Sequence, residues 1–461
     1  MRQDNEEATS LIDHRPNIGR FILFRIFFNC RFYYPVYTIL FLDFGLSVGQ
    51  FAILNAAWAA SIVLLEVPSG AFADLIGRRA LIIFAAILMI VELGILCLTP
   101  VGAGPFVFWL FLINRILSGA AEASCSGADE ALAYDSLPEP GREEAWTKVL
   151  GRLFRLQPLG FIIASLTGAF LYDAEQLNAT LAKVGISSNF APEFTLKIPI
   201  FLTLLMGIGA LVVALRMTEP PVGQREKSPP TGQWMVMIRK AFADTMAAGR
   251  WVIRTPFPLI LLLVGVTFDS IIRLYYTVAS NYYRLLDIPV PYFGIIGTIG
   301  LLAGIAATWP MERMAQRFSP RINFSVVAVL TLAGLISLAY PIRHWGVLLT
   351  IPMILGMRFL HFLISQYLNA ATDSANRATV LSFRGIALNC SYGIISVLYG
   401  WQNGFLSKRS GTEAMPDKGD SDLSVFAESL TWWPWYYSAT VVLLIGASLW
   451  IWRRSDHAIK S

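Results

Sequence analysis

Charge is scarce in this sequence. Asp, Glu, Lys and Arg make up 15% of its 461 residues, against about a quarter in an ordinary soluble domain. Cysteine and histidine number four each, and neither forms a pattern. Cys30, Cys97, Cys125 and Cys390 lie in or beside apolar runs at unrelated spacings, which excludes a disulfide framework and a zinc site and leaves them as small core residues. His14, His344, His361 and His457 show no metal-ligand spacing, so neither a metal nor any other cofactor is expected. A glycine-rich phosphate loop is missing, which argues against ATP coupling within this chain. So is the basic leader of a secretory signal: Met1–Asn17 holds Asp4, Glu6, Glu7 and Asp13, and the first apolar run is expected to stay as an uncleaved anchor.

What the sequence has in excess is apolar surface. Hydrophobic residues form 55% of the chain, and the mean hydropathy is +0.57. Runs bounded by charge, Pro or Gly fall near 19–42, 48–72, 80–99, 105–126, 153–172, 198–215, 257–281, 291–310, 322–341, 345–366, 379–400 and 433–452. Each lasts about 18–26 residues, enough to cross the hydrocarbon of a bilayer with some tilt. Lipid offers the backbone no hydrogen bonds, so the runs are expected to be helices; β-barrel strands would alternate in segments of about ten residues. At ~21 residues per span, about 200 residues remain for loops, too few for a further soluble domain of ordinary size. The expected fold is an all-α membrane protein of twelve transmembrane helices. A secreted protein, a cytosolic enzyme and a single-anchor receptor are excluded.

The basic residues orient it. With the N-terminus in the cytoplasm, roughly two-thirds of the Lys and Arg fall on the inner side, among them Arg78, Arg79, Arg239, Lys240, Arg313, Arg317, Arg321, Arg453 and Arg454. The opposite orientation inverts that bias, so both termini are expected inside. The net charge of +5 then reads as membrane topology, and no nucleic-acid partner is expected. The chain also looks duplicated: a shift of roughly 234 residues sets Gly70 on Gly304, Arg79 on Arg313, Tyr134 on Tyr367 and Gly160 on Gly393. Each half carries one long external loop, near 173–197 and 401–432. The expected organisation is two pseudo-symmetric six-helix bundles, 1–217 and 256–461, joined by a cytoplasmic linker, 218–255. The linker opens with the Pro- and charge-rich Thr218–Thr231. Trp234, Ile238, Phe242 and Met246 then recur every fourth residue opposite Arg239 and Lys240, as in a helix lying on the inner membrane surface or packing as a connector.

Between the second and third runs the sequence reads Gly70-Ala-Phe-Ala-Asp74-Leu-Ile-Gly77-Arg78-Arg79. It resembles the signature loop of the major facilitator superfamily, G-x-x-x-D-x-x-G-R-[RK], with every defining position filled. Asn114-Arg115-Ile-Leu-Ser118-Gly119 is similar to that family's R-x-x-x-G element, and Gly127–Asp135 looks like the segment many bacterial members carry where span four leaves the membrane. Arg377–Ser382 occupies the corresponding place before span eleven. The family's fifth-span antiporter motif is poor here, with Gln157-Pro158-Leu159-Gly160 followed only by Gly168, which weakens a drug-efflux reading. The resemblance implies a latch at Gly70, Asp74, Gly77, Arg78 and Arg79 that stabilises one conformation. Gly70 would allow close helix approach, Asp74 would accept bonds from a neighbouring helix end, and the arginines would face carboxylates and anionic headgroups.

Ionisable residues deep in a span cost roughly 2.5–3.5 kcal/mol on insertion scales and need a cavity or a partner. Here the deep set is Arg31, Glu92, Arg115, Asp269, Arg273, Arg358 and His361, with Arg25, Glu66 and Glu122 nearer the cytoplasmic ends. In the resembled family the first and fourth spans of each half line the cavity, and all of the deep set but Glu92 sit on those spans. Asp269 and Arg273 share a helical face at i, i+4 and read as a neutralised pair or a proton switch. His361 is a proton relay or a packing histidine. Glu122 is a second proton candidate, or part of a gate with Arg142, Lys148 or Arg152. Arg31, Arg115 and Arg358 form a possible cationic trio suited to an anion. Tyr34, Tyr275 and Tyr276, with Tyr33, would supply an amphipathic wall, while Tyr282, Tyr283 and Trp432-Trp433-Pro434-Trp435 suit an interfacial aromatic belt.

The expected function is a secondary transporter, monomeric and working by alternating access on a small molecule, with protons as the coupling ion. Efflux of amphipathic compounds leads; uptake of a small organic anion is the alternative. A solute-sensing receptor of transporter fold is the non-transport reading, and an enzyme is not expected. The expected location is the cell membrane, the inner one in a Gram-negative source.

Overall fold

Long apolar runs fold as helices because lipid leaves each peptide group no partner outside its own chain. The computed structural model describes residues 16–102, 104–220, 234–371, 377–411 and 418–460, and every regular element among them is helical. Among the described residues eleven helices are long and apolar enough to cross a membrane. Spans two to six are Val48–Ile76, Arg78–Leu98, Pro105–Cys125, Arg142–Tyr172 and Ile198–Arg216. Spans seven to twelve are Pro256–Leu285, Pro291–Ala306, Pro320–Ala339, Ile351–Ala370, Arg377–Ser410 and Trp433–Lys460.

The first run, expected to be continuous over 19–42, is the exception. It forms Pro16–Asn29 and Tyr37–Asp43, with a 3-10 turn at Tyr34–Val36 between them. Pro35 has no N–H to give a helical ladder, and its ring crowds the turn before it. The freed backbone groups find partners nearby: the Phe32 amide donates to Thr203 Oγ1 at 3.0 Å and the Tyr34 amide to the Arg31 carbonyl at 3.2 Å. Span five makes room through Gly168, where a Cβ would stand 1.7 Å from the Phe32 carbonyl oxygen. Only glycine fits against this broken segment.

The chain clusters into two compact units. The first comprises Met1–Tyr34, Ser61–Thr99 and Trp109–Ala243; the second comprises Pro35–Ala60, Pro100–Phe108 and Asp244–Ser461. In the first, Phe21 and Ile22 pack with Leu137, Val149 and Leu153, and Gly207 of span six lies against Met89 and Ile90 of span three. In the second, span seven is the most enclosed helix, with 56% of its apolar window buried against 6% for span twelve. Asp269, Ser270, Thr277, Ser280 and Asn281 of span seven are buried.

Both expected external loops carry helix. Ala174–Lys183 starts at Asp173, whose side chain accepts the Gln176 amide at 3.0 Å. Span eleven runs on to Ser410, and Lys418–Thr431 follows. The connector helix is Trp234–Arg254. Thr245, Gly249 and Val252 are its buried residues, and Val252 packs with Leu261, Leu368 and Val380. That docking turns Ile238 partly inward and leaves Met235, Phe242, Met246 and Ile253 exposed. The outward apolar line is thus rotated from the expected one; the Trp234 side chain lies outside the described residues.

The aromatic belt also needs revision. Tyr282 and Tyr283 are buried at 0% and 8%, with Tyr282 Oη donating to the Ser337 carbonyl, and Trp433 is buried at 1% against Tyr399. Each finds an inter-helix pocket in place of the interface, and of the Trp432–Trp435 cluster Trp435 is the residue that stands out, at 77% exposed.

Candidate functional site

Within the second unit, the enclosed face of span seven carries Asp269, Arg273, Thr277 and Ser280 at three- and four-residue spacing. Asp269 is fully buried. Its Oδ2 lies 2.6 Å from Arg273 Nη2, and its Oδ1 lies 3.1 Å from Nε2 of His361 on span ten. Span eleven completes the group. Arg384 Nη2 is 3.4 Å from His361 Nδ1, Asn389 Oδ1 accepts from Arg273 Nη1 at 2.8 Å, and the Arg273 guanidinium lies 5.2 Å from the Tyr392 ring centre. Thr277 and Tyr392 share a hydroxyl bond of 2.7 Å, as do Ser270 and Ser391. One carboxylate thus meets a guanidinium of its own helix and an imidazole of span ten. Arg384 and Asn389 add span eleven to the cluster through His361 and Arg273. His361 is 41% exposed, against 24% for Arg273 and 1% for Asp269.

The first unit holds a second group at the break in span one. Arg31, 5% exposed, pairs with the fully buried Glu92 at 2.7 Å and reaches Tyr33 Oη at 3.2 Å. Asn114 donates to both the Glu92 carbonyl, at 2.9 Å, and its carboxylate. Arg115 is buried beside them at 6% exposed, near enough to Glu92 for their charges to interact. Tyr33 and Tyr34 meet edge to face, with Tyr34 46% exposed.

The arginine loop forms a third group, also in the first unit. Gly77 adopts φ +95°, and the Glu219 carboxylate accepts the amides of Arg78 at 3.0 Å and Arg79 at 2.8 Å. It caps the positive end of span three. The Arg78 guanidinium bonds the Asp135 carboxylate and the Ala131 carbonyl, and Arg79 bonds the Leu215 carbonyl. Asn17 secures Thr218 through its carbonyl at 2.7 Å and its amide at 3.0 Å. Among the described residues nothing lies within 4 Å of a Cβ built at Gly70. The side chains of Asp74 and Arg377 lie outside the described residues.

The remaining expected residues are placed separately. Tyr275 is fully buried and donates to Thr350 Oγ1 at 2.9 Å, whereas Tyr276 is 41% exposed. Arg358 is exposed and its stem runs along Gly304 of span eight. Arg31 and Arg115 belong to the first unit and Arg358 to the second, and Arg31 is neutralised by Glu92. Glu122 is exposed although Arg115, two turns before it, is buried. Of its suggested gate partners, Arg142 pairs with Glu139 at 3.0 Å and Lys148 with Glu144 at 2.7 Å.

Several members escaped sequence reasoning: Glu219, Arg384, Asn389, Tyr392, and Asp43 with Arg284. The last two form a bidentate pair at 2.7 and 2.9 Å within the second unit, tying the outer piece of span one to span seven. Nearby, Ser280 Oγ accepts the Thr38 amide at 2.9 Å. Arg384 had a signal, being a cation well inside an apolar run; the others did not.

A family model described as Major Facilitator Superfamily matches residues 21–397. Among solved structures, the chain is similar to a bacterial homolog of the human lysosomal transporter Spinster, in an inward-facing and unoccupied conformation, with a TM-score of 0.68 and 17% identity over 98% of both chains. It is similar to the nucleoside transporter NupG at a TM-score of 0.66 and 11% identity, over 96% of this chain and 99% of that one. A structure described for proton dependent oligopeptide transporters gives a TM-score of 0.62 at 12% identity, over 95% of this chain and 99% of that one. At these identities the likeness is one of fold. No protein of curated function matches the sequence.

Proposed function

The chain belongs to the Major Facilitator Superfamily, and from that premise we propose that it exports a small amphipathic solute by alternating access, driven by protons. The moving bundles in this reading are 1–217 and 256–461, joined by 218–255, with both termini in the cytoplasm. The observation that carries the proposal is the Asp269 cluster. A half-exposed imidazole beside a buried carboxylate gives a proton both a way in and a counter-ion. When His361 holds the proton, its attraction to Asp269 draws span ten toward span seven. When the proton leaves, Asp269 is held by Arg273 alone, within reach of Arg384. Proton occupancy then shifts the balance between two arrangements of three helices, as coupling requires. A neighbour in fold described as proton dependent supports the choice of ion. Exposed Tyr34 and Tyr276, each beside a buried tyrosine, supply aromatic faces with polar tips for an amphipathic solute.

The second reading is uptake of a small organic anion. It is favoured by the surplus of positive charge around Asp269 and weakened by the neutralisation of Arg31.

The test is transport in reconstituted vesicles under an imposed pH gradient, with a fluorescent lipophilic cation and a small aromatic carboxylate as alternative probes. Asp269→Asn and His361→Gln should each abolish gradient-driven movement and leave solute exchange measurable. Unchanged gradient dependence in either variant removes that residue from coupling. Accumulation of the carboxylate without movement of the cation replaces export with uptake.

A further inference from the structure

The connector helix Trp234–Arg254 takes no part in the three polar groups above. One edge of it is already occupied: Val252 is buried with Leu261, Leu368 and Val380, and a Cβ at Gly249 would stand 2.4 Å from Phe383 Cε2. At roughly 100° per residue, Met235, Phe242, Met246 and Ile253 fall on one line beside that edge. All four are exposed, at 49%, 40%, 61% and 58%. Beyond the line, in the next sector of the helix, stand the exposed Arg239, Arg250 and Arg254. Asp244, the single acidic residue of the helix, projects from the side opposite the apolar line.

We infer that this face is a docking surface for the anionic phospholipids of the inner leaflet. The inference rests on the cytoplasmic placement of the connector proposed above. An apolar row lets a surface helix enter the acyl boundary, and a neighbouring row of one charge sign selects the headgroup. Arginine suits headgroup selection, because its stem lies along apolar surface while its planar fork binds phosphate oxygens in pairs. The three guanidiniums border the row that enters lipid, whereas the one carboxylate is turned away from it, with Lys240 beside it. Because Gly249 seats on Phe383, next to Arg384, the lipid contact is made by a helix fixed to span eleven.

The test reads lipid contact, not transport, so it can fail while the proton-coupled reading stands, and the reverse. Met246→Cys is labelled with an environment-sensitive fluorophore in full-length protein whose exposed Cys390 is replaced by Ser. The protein is reconstituted into phosphatidylcholine vesicles containing brominated phosphatidylglycerol or brominated phosphatidylcholine. Both lipids should quench the label. Phosphatidylglycerol should be favoured about fivefold or more at low salt, one arginine near the surface being worth about that factor, and the preference should fall as salt rises. It should vanish in R239Q/R250Q/R254Q and persist in R239K/R250K/R254K, which keeps the charge. A label quenched by neither lipid would overturn the inference, because protein or water would then cover the face. So would equal quenching by the two lipids, or a preference that survives the glutamine substitutions.

Discussion

Two glycines of span five give opposite expectations for the same substitution. At Gly168 a Cβ would lie 1.7 Å from the Phe32 carbonyl oxygen and 2.6 Å from its carbonyl carbon, where ordinary van der Waals contact begins at 3.4 Å. Both clashing atoms are backbone, so no side-chain rotation relieves them. Gly168→Ala must push the broken segment of span one away by more than 1 Å or so, in a region packed at crystal-like density. Overpacking of this kind costs about 1–3 kcal/mol. The shift also strains the Phe32 amide bond to Thr203, worth about 1 kcal/mol more. At Gly151 nothing among the described residues lies within 4 Å of a Cβ, and alanine improves an open helical position by up to about 1 kcal/mol. Thermal unfolding of the purified protein in one detergent should therefore place Gly168→Ala below the parent and Gly151→Ala at or above it. Equal midpoints for Gly168→Ala and the parent would refute the claim that this glycine seats the break.

Glu92→Gln should destabilise by about 3–5 kcal/mol, the cost of stranding Arg31 in a buried site. The double variant R31M/E92M should recover most of the loss in the same thermal assay, and a stable single variant would count against the pair. Glu219→Gln keeps the shape of the cap at Gly77 but removes its charge; a loss of about 0.3–1 kcal/mol is expected, shrinking at high salt. A salt-independent loss would assign Glu219 to packing alone. The Asp43–Arg284 pair is about a third exposed, so Asp43→Asn should cost no more than about 1 kcal/mol after solvent screening. The swap D43R/R284D should restore it, and a swap less stable than either single variant would show that geometry outweighs charge there.

Much of the fold was legible because lipid applies one rule to every residue: a run of about 20 apolar side chains becomes a helix. The break in span one was not legible. Hydropathy registers Pro35 as one residue in an apolar run and does not register a missing amide hydrogen. Asp269 and Arg273 could be paired from spacing because a single helix supplies both. Arg31 and Glu92 are 61 residues apart, and Glu219 reaches Arg78 across 141. Such partners meet through helix packing that periodicity does not specify. For the same reason depth alone does not pair Arg31: a span shows how deep a charge lies, while its counter-ion sits on another helix.

The fit between Gly168 and Phe32 bears on how relatives of this chain are compared. A small residue at 168 has no independent reason to persist; it answers to the irregular backbone that Pro35 creates more than a hundred positions earlier. In a relative whose first helix runs straight through, the site corresponding to 168 is free to take a bulkier residue. One that keeps the proline is held to glycine. Linked substitution of these two sites across an alignment is thus the evolutionary trace that a bent entry helix should leave.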